Sequence, residues 1–91
     1  MKKKEEKTDM SEFTLIVGKR IRKARKAKNL TLEELAERCG LHPAYIGQLE
    51  RGVKNASLYT LEKIACALEL SLTDLVGNSD IVTETAKTNI P

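Results

Sequence analysis

Apolar residues recur every three or four positions through most of this chain, and polar residues interrupt that rhythm at four places. The first rhythmic stretch carries Phe13, Ile16, Val17, Ile21 and Ala24 at i, i+3, i+4 spacing, which predicts a helix from about Ser11 to Lys28. Asn29 and Leu30 close it. Thr31 followed by Glu34 forms a T-x-x-E capping box, and Leu35, Ala36 and Cys39 then share one face of a second helix. Gly40 is the residue type that enters a left-handed conformation without a Cβ penalty, so it marks a sharp turn. Pro43 suits the first turn of a third helix, whose apolar side is Ile46 and Leu49 and which Gly52 ends.

Val53 to Ala56 is a polar loop. Ser57 caps a fourth helix bearing Leu58, Leu61, Ile64, Ala65 and Leu68. The run Ser71-Leu72-Thr73-Asp74 repeats the capping logic for a short fifth helix with Leu72, Leu75 and Val76, stopped at Gly77. Residues 1–10 have almost no apolar content and read as a flexible basic arm. Residues 78–91 lack a sustained period, Ile81-Val82 apart, and read as a flexible tail. The expected organisation is one compact all-α domain over residues 11–77, five helices, with no internal repeat.

Composition sharpens this. One Phe, two Tyr and no Trp leave an aliphatic core, which suits a helical bundle better than a sheet rich in β-branched and aromatic residues. No apolar run approaches the ~20 residues that span a bilayer, and the basic N-terminus lacks the apolar stretch of a secretory signal. The expected compartment is the cytoplasm, with no membrane partner. Cys39 and Cys66 have neither CxxC nor Cys/His spacing, so both are read as buried reduced thiols on apolar helical faces, with no metal site. With one His, no paired carboxylates in an apolar setting and no phosphate-cradling glycine loop, the chain offers no catalytic constellation and calls for no cofactor.

Charge is lopsided. Residues 1–30 hold eleven Lys and Arg against four Asp and Glu, a surplus of seven; residues 31–91 hold five against nine, a deficit of four, for a net +3. Between Lys19 and Lys28 seven of ten residues are basic and none is acidic, with Arg22, Lys23 and Lys26 facing outward. An anionic partner fits that half as well as simple solvation does.

Ala36, Gly40 and Ile46, flanked by Leu35, Leu41 and Leu49, resemble the DNA-binding helix-turn-helix. The run from Gly40 to Gly52 is similar to the Cro/repressor-type (xenobiotic-response-element) family of regulators, with the likeness covering about residues 13–77. Within that family Leu41-His42, Tyr45-Ile46-Gly47, Glu50-Arg51-Gly52, Asn55 and Ser57-Leu58 most resemble the controller proteins of restriction–modification systems.

The resemblance implies a lambda-repressor-like fold and a sequence-specific regulator of transcription that binds double-stranded DNA at a two-fold operator as a homodimer. Residues 43–51 would enter the major groove. Gln48 would read adenine through a bidentate contact, Ala44 would pack on a thymine methyl, and Pro43 and Gly47 would permit close approach. Tyr45 is open between phosphate contact and packing, and His42 between helix cap and phosphate contact. Arg51, Lys54 and Asn55 would meet phosphates. Family members also imply a pairing of Arg25 with Glu50. Leu72, Leu75 and Val76 would form the dimer edge. Two departures stand out: Leu32 replaces the Gln that often clamps phosphate at the start of the second helix, and the groove-facing surface has no Arg. An antitoxin-like protein-interaction module is the competing reading, favoured by Glu33, Glu34 and Glu37 on the second helix.

Overall fold

The computed structural model describes residues 2–77, with side chains from residue 12 onward. These residues form five helices and, among them, no strand: α1 (Lys2–Ala27), α2 (Leu32–Cys39), α3 (Pro43–Glu50), α4 (Leu58–Ala67) and α5 (Leu72–Val76). The expected tail, Ile81-Val82 included, lies outside the described residues.

Four of the helices begin where the sequence places a cap. Thr31 Oγ1 accepts from the Glu34 N–H at 3.0 Å, and Glu34 Oε1 accepts from the Thr31 N–H at 2.8 Å. Ser57 Oγ accepts from the Thr60 N–H, and Ser71 and Asp74 complete a second reciprocal box. Gly40 turns the chain at φ +71°, and the Gly40 and Leu41 amides donate back to Glu37 and Ala36 carbonyls. Such caps satisfy backbone groups that a helix end leaves unpaired.

The first helix differs from expectation. It runs back to Lys2, through the segment read as an arm. Residues 2–17 contain no Gly or Pro, and Lys and Glu lose little rotamer freedom in a helix, so a helix nucleated by packed residues further on propagates cheaply toward the N-terminus. At its other end, Asn29 closes α1 at φ +58°, and Glu69 closes α4 at φ +61°. Lys28 Nζ meets Glu69 Oε1 at 2.7 Å, tying the two ends together, and it holds the exposed Glu69 carboxyl below its ordinary range.

One aliphatic core joins all five helices through Val17, Ile21, Leu30, Leu35, Ala36, Cys39, Ile46, Leu49, Leu61, Ile64, Ala65, Leu68 and Leu75. The helical periods picked most of it, with four corrections. Phe13, midway along α1, is 42% exposed, since it lies one turn before Val17, the first residue of that helix to enter the core. Leu58, the first residue of α4, is 67% exposed. Cys66 points outward and only Cys39 is buried; its thiol faces the Lys63 carbonyl, and burial pushes it up, away from the reactive thiolate. Leu75 is fully buried. It fills the core beneath α1 and α4, so it has no surface to offer a second copy, and only half-buried Leu72 and Val76 remain of the expected dimer edge.

Two contacts fix how α1 lies on the rest. Gly18 backs onto the end of α3 so closely that a Cβ there would fall 2.3 Å from the Leu49 carbonyl oxygen and 2.7 Å from that of Glu50. The Arg20 guanidinium donates to the Leu75 carbonyl at 3.0 Å and also to that of Gly77, capping the end of α5.

Candidate nucleic-acid interface

The site is built on the turn between α2 and α3. Gly40 reverses the chain, and two residues later the backbone of His42 is extended (φ −83°, ψ 136°). His42 Nδ1 accepts from the Ala44 N–H at 3.4 Å, so of its two expected roles the structure realises the cap. Pro43 occupies the first turn, where its missing N–H costs nothing. Ile46 and Leu49 anchor α3 from below, both buried.

What faces away is an open concavity lined by Leu32 and Glu33 from the start of α2 and by His42, Pro43, Ala44, Gly47, Gln48 and Arg51 from α3 and its ends. Six of the residues singled out in the sequence therefore meet on one surface. Ala44 and Arg51 are exposed and Gln48 is half-buried. Gly47 is buried instead of outward-facing. Arg51 Nη1 and Leu32 Cδ1 would stand 3.4 Å and 3.6 Å from a Cβ at that position, so they cover it.

Three of the expected contact residues lie elsewhere. Tyr45 is half-buried against the core, the packing alternative of its two readings. Lys54 and Asn55 line a small apolar cleft with Phe13, Thr14, Val17, Ile21 and Leu49. Lys54 is exposed there, whereas Asn55 Oδ1 accepts from the Thr14 hydroxyl at 2.8 Å, which ties the α3–α4 loop to α1. Gly52, at φ +74°, lets that loop leave α3 directly against Leu15.

Beneath α3 the expected ion pair is present and buried. Arg25 Nε reaches Glu50 Oε2 at 2.7 Å, and its Nη2 reaches Glu50 Oε1 at 3.0 Å. Nη1 donates to the Leu30 carbonyl at 2.7 Å. The hydrogen bond to Glu50 strengthens the guanidinium's hold on its proton against the opposing effect of burial. This bidentate geometry locks the end of α3 to the end of α1 and to the loop leading into α2. The end of α3 is thus held by a charged pair inside an otherwise aliphatic core.

Sequence reasoning missed Gly18 and Arg20, and it took Glu33 only as an acid of a possible protein-interaction face, not as part of this concavity. A glycine in mid-helix is a signal of close approach, since it costs about 1 kcal/mol relative to Ala there and needs a reason. Arg20 carries no comparable signal. Among the described residues no group of His, Cys, Asp and Glu is arranged to hold a metal ion, and no helix is long and apolar enough to cross a membrane.

Residues 21–75 match the Helix-turn-helix family. The chain is 43% identical over 72 residues to control protein C.BamHI of Bacillus amyloliquefaciens, covering 78% of this chain and 89% of that protein. Its fold is similar to the restriction–modification controller protein C.AhdI from Aeromonas hydrophila, with a TM-score of 0.67 and 40% identity over 68% of this chain and 94% of the other. It is also similar to SinR, the master regulator for biofilm formation, solved in complex with DNA, with a TM-score of 0.65 and 37% identity over 67% of this chain and 98% of that one.

Proposed function

Because this chain belongs to the helix-turn-helix family of DNA-binding transcriptional regulators, we propose that it lays α3 in the major groove of double-stranded DNA and reads its operator through the surface around Gln48. The observation that carries this reading is the concavity itself: Pro43, Ala44 and Gln48 line the open side of a helix whose other side is anchored by Ile46, Leu49 and the Arg25–Glu50 pair. Base contacts specify and phosphate contacts position. Gln48 is the amide that addresses adenine N6 and N7, Ala44 the methyl that meets thymine, and Lys54 a phosphate contact outside the concavity. The likeness to controller proteins supports a controller of a restriction–modification system as the biological setting, in the cytoplasm.

Duplex binding measured across a salt series tests this. Log K is expected to fall linearly with log salt, by about 0.9 per phosphate neutralised. Lys54→Ala should weaken preferred and random duplexes alike and make the slope shallower by about one. Gln48→Ala should cost about 1–3 kcal/mol on the preferred duplex while leaving random duplex nearly unaffected. Equal losses on both duplexes would make Gln48 a backbone contact, and salt-independent binding would favour the protein-interaction reading.

The active species is a homodimer on a two-fold site, since one such module buries little DNA surface. Leu72 and Val76 are the apolar residues of α5 left partly exposed by the monomer. Val76→Lys places a cation at the end of α5, where the helix dipole welcomes it, so it should break the dimer without melting the fold. Sedimentation of the parent as a monomer at micromolar concentration would rule this edge out.

A further inference from the structure

Arg51 ends α3, yet its guanidinium lies one turn back along the helix. Helical side chains lean toward the N-terminus and cover the turn before their own Cα, so residue 51 passes over residue 47. Position 47 is glycine. A Cβ there would sit 3.4 Å from Arg51 Nη1, so the guanidinium lies within van der Waals reach of that face. There it lines the same concavity as Pro43, Ala44 and Gln48, is exposed, and has no ion-pair partner among the described residues. Glu33 lines the concavity too, and its carboxylate disfavours an approaching phosphate more than a neutral base edge.

We propose that Arg51 is a base reader, donating in bidentate fashion to N7 and O6 of a guanine in the major groove, next to the pair addressed by Gln48. The proposal rests on the reading that α3 enters that groove. It moves Arg51 from the phosphate contacts to the specificity set, and it gives the groove-facing surface the arginine that the linear sequence denied it.

A duplex selected by the parent protein from a random library, and a scrambled version of it, test the assignment at fixed salt. The selected duplex should carry a G·C pair in each half-site. Arg51→Lys keeps the charge but loses the planar fork, so it should bind the selected duplex about 5- to 150-fold more weakly, the range of one good bidentate pair, with scrambled binding unchanged. Replacing the critical guanine by 7-deazaguanine should weaken the parent and leave Arg51→Lys untouched. If Arg51→Lys binds the selected duplex like the parent, if it loses equally on both duplexes, or if the selected sites lack guanine, the assignment is overturned while the DNA-binding reading stands. A parent that binds neither duplex in a salt-dependent way overturns both.

Discussion

Gly18→Ala is expected to cost about 3 kcal/mol or more, at the upper end of what overpacking does to a core. The added methyl would fall 2.3 Å and 2.7 Å from two backbone carbonyl oxygens at the end of α3, and backbone, unlike a flexible side chain, has no rotamer to escape into. Helix propensity works the other way, since Ala should gain about 1 kcal/mol over Gly in a helix interior, so the sign of the result is diagnostic. A loss of that size lowers the melting temperature by roughly 12–24 °C for a domain of this size. Thermal unfolding measures it, with Gly47→Ala as the matched control in α3, where the added methyl makes only ordinary contacts. A Gly18→Ala variant as stable as the parent would show that α1 does not sit against α3 this closely. The same substitution should also weaken DNA binding, because the displaced α1 carries Arg25 away from Glu50.

Glu50→Ala is expected to destabilise by about 3–5 kcal/mol, the range found when one partner of a buried pair is removed. Arg25 would stay buried with the Leu30 carbonyl as its remaining acceptor, at 8% exposure of the residue. Domains this small have only about 3–5 kcal/mol from a single core, so the variant should be largely unfolded near body temperature. Removing both partners, Arg25→Ala with Glu50→Ala, should be milder than the sum of the single changes, since no charge is then stranded. Urea unfolding of the two single variants and the double variant closes that cycle. Additive losses would mean that the two residues do not act as a pair. Binding of the selected duplex by any folded fraction of Glu50→Ala should fall as well, because the pair sets the pitch of α3.

The caps and the turn, which act across a few residues, were legible in the order of residues. Thr31 with Glu34, Ser57 with Thr60, Ser71 with Asp74, and Gly40 before Pro43 act across three or four residues, so their spacing alone locates α2, α3, α4 and α5. The helical periods likewise chose Ile21, Leu35, Ile46, Leu61 and Ile64 for the core. A resemblance to known regulators, rather than any period, paired Arg25 with Glu50. Three kinds of feature were decided only by tertiary structure. Which face of α5 turns inward was one, since five residues define no period and Leu75, Leu72 and Val76 look alike until α1 and α4 close over the first. Contacts between residues far apart were another: Arg20 capping the Leu75 carbonyl spans 55 positions, and Gly18 meets α3 through backbone that no side-chain pattern announces. The third was the path of a long side chain. In sequence Arg51 stands with Lys54 and Asn55 as an expected phosphate contact, whereas the fold brings it into the concavity beside Gln48 and Leu32 and leaves Lys54 and Asn55 outside it.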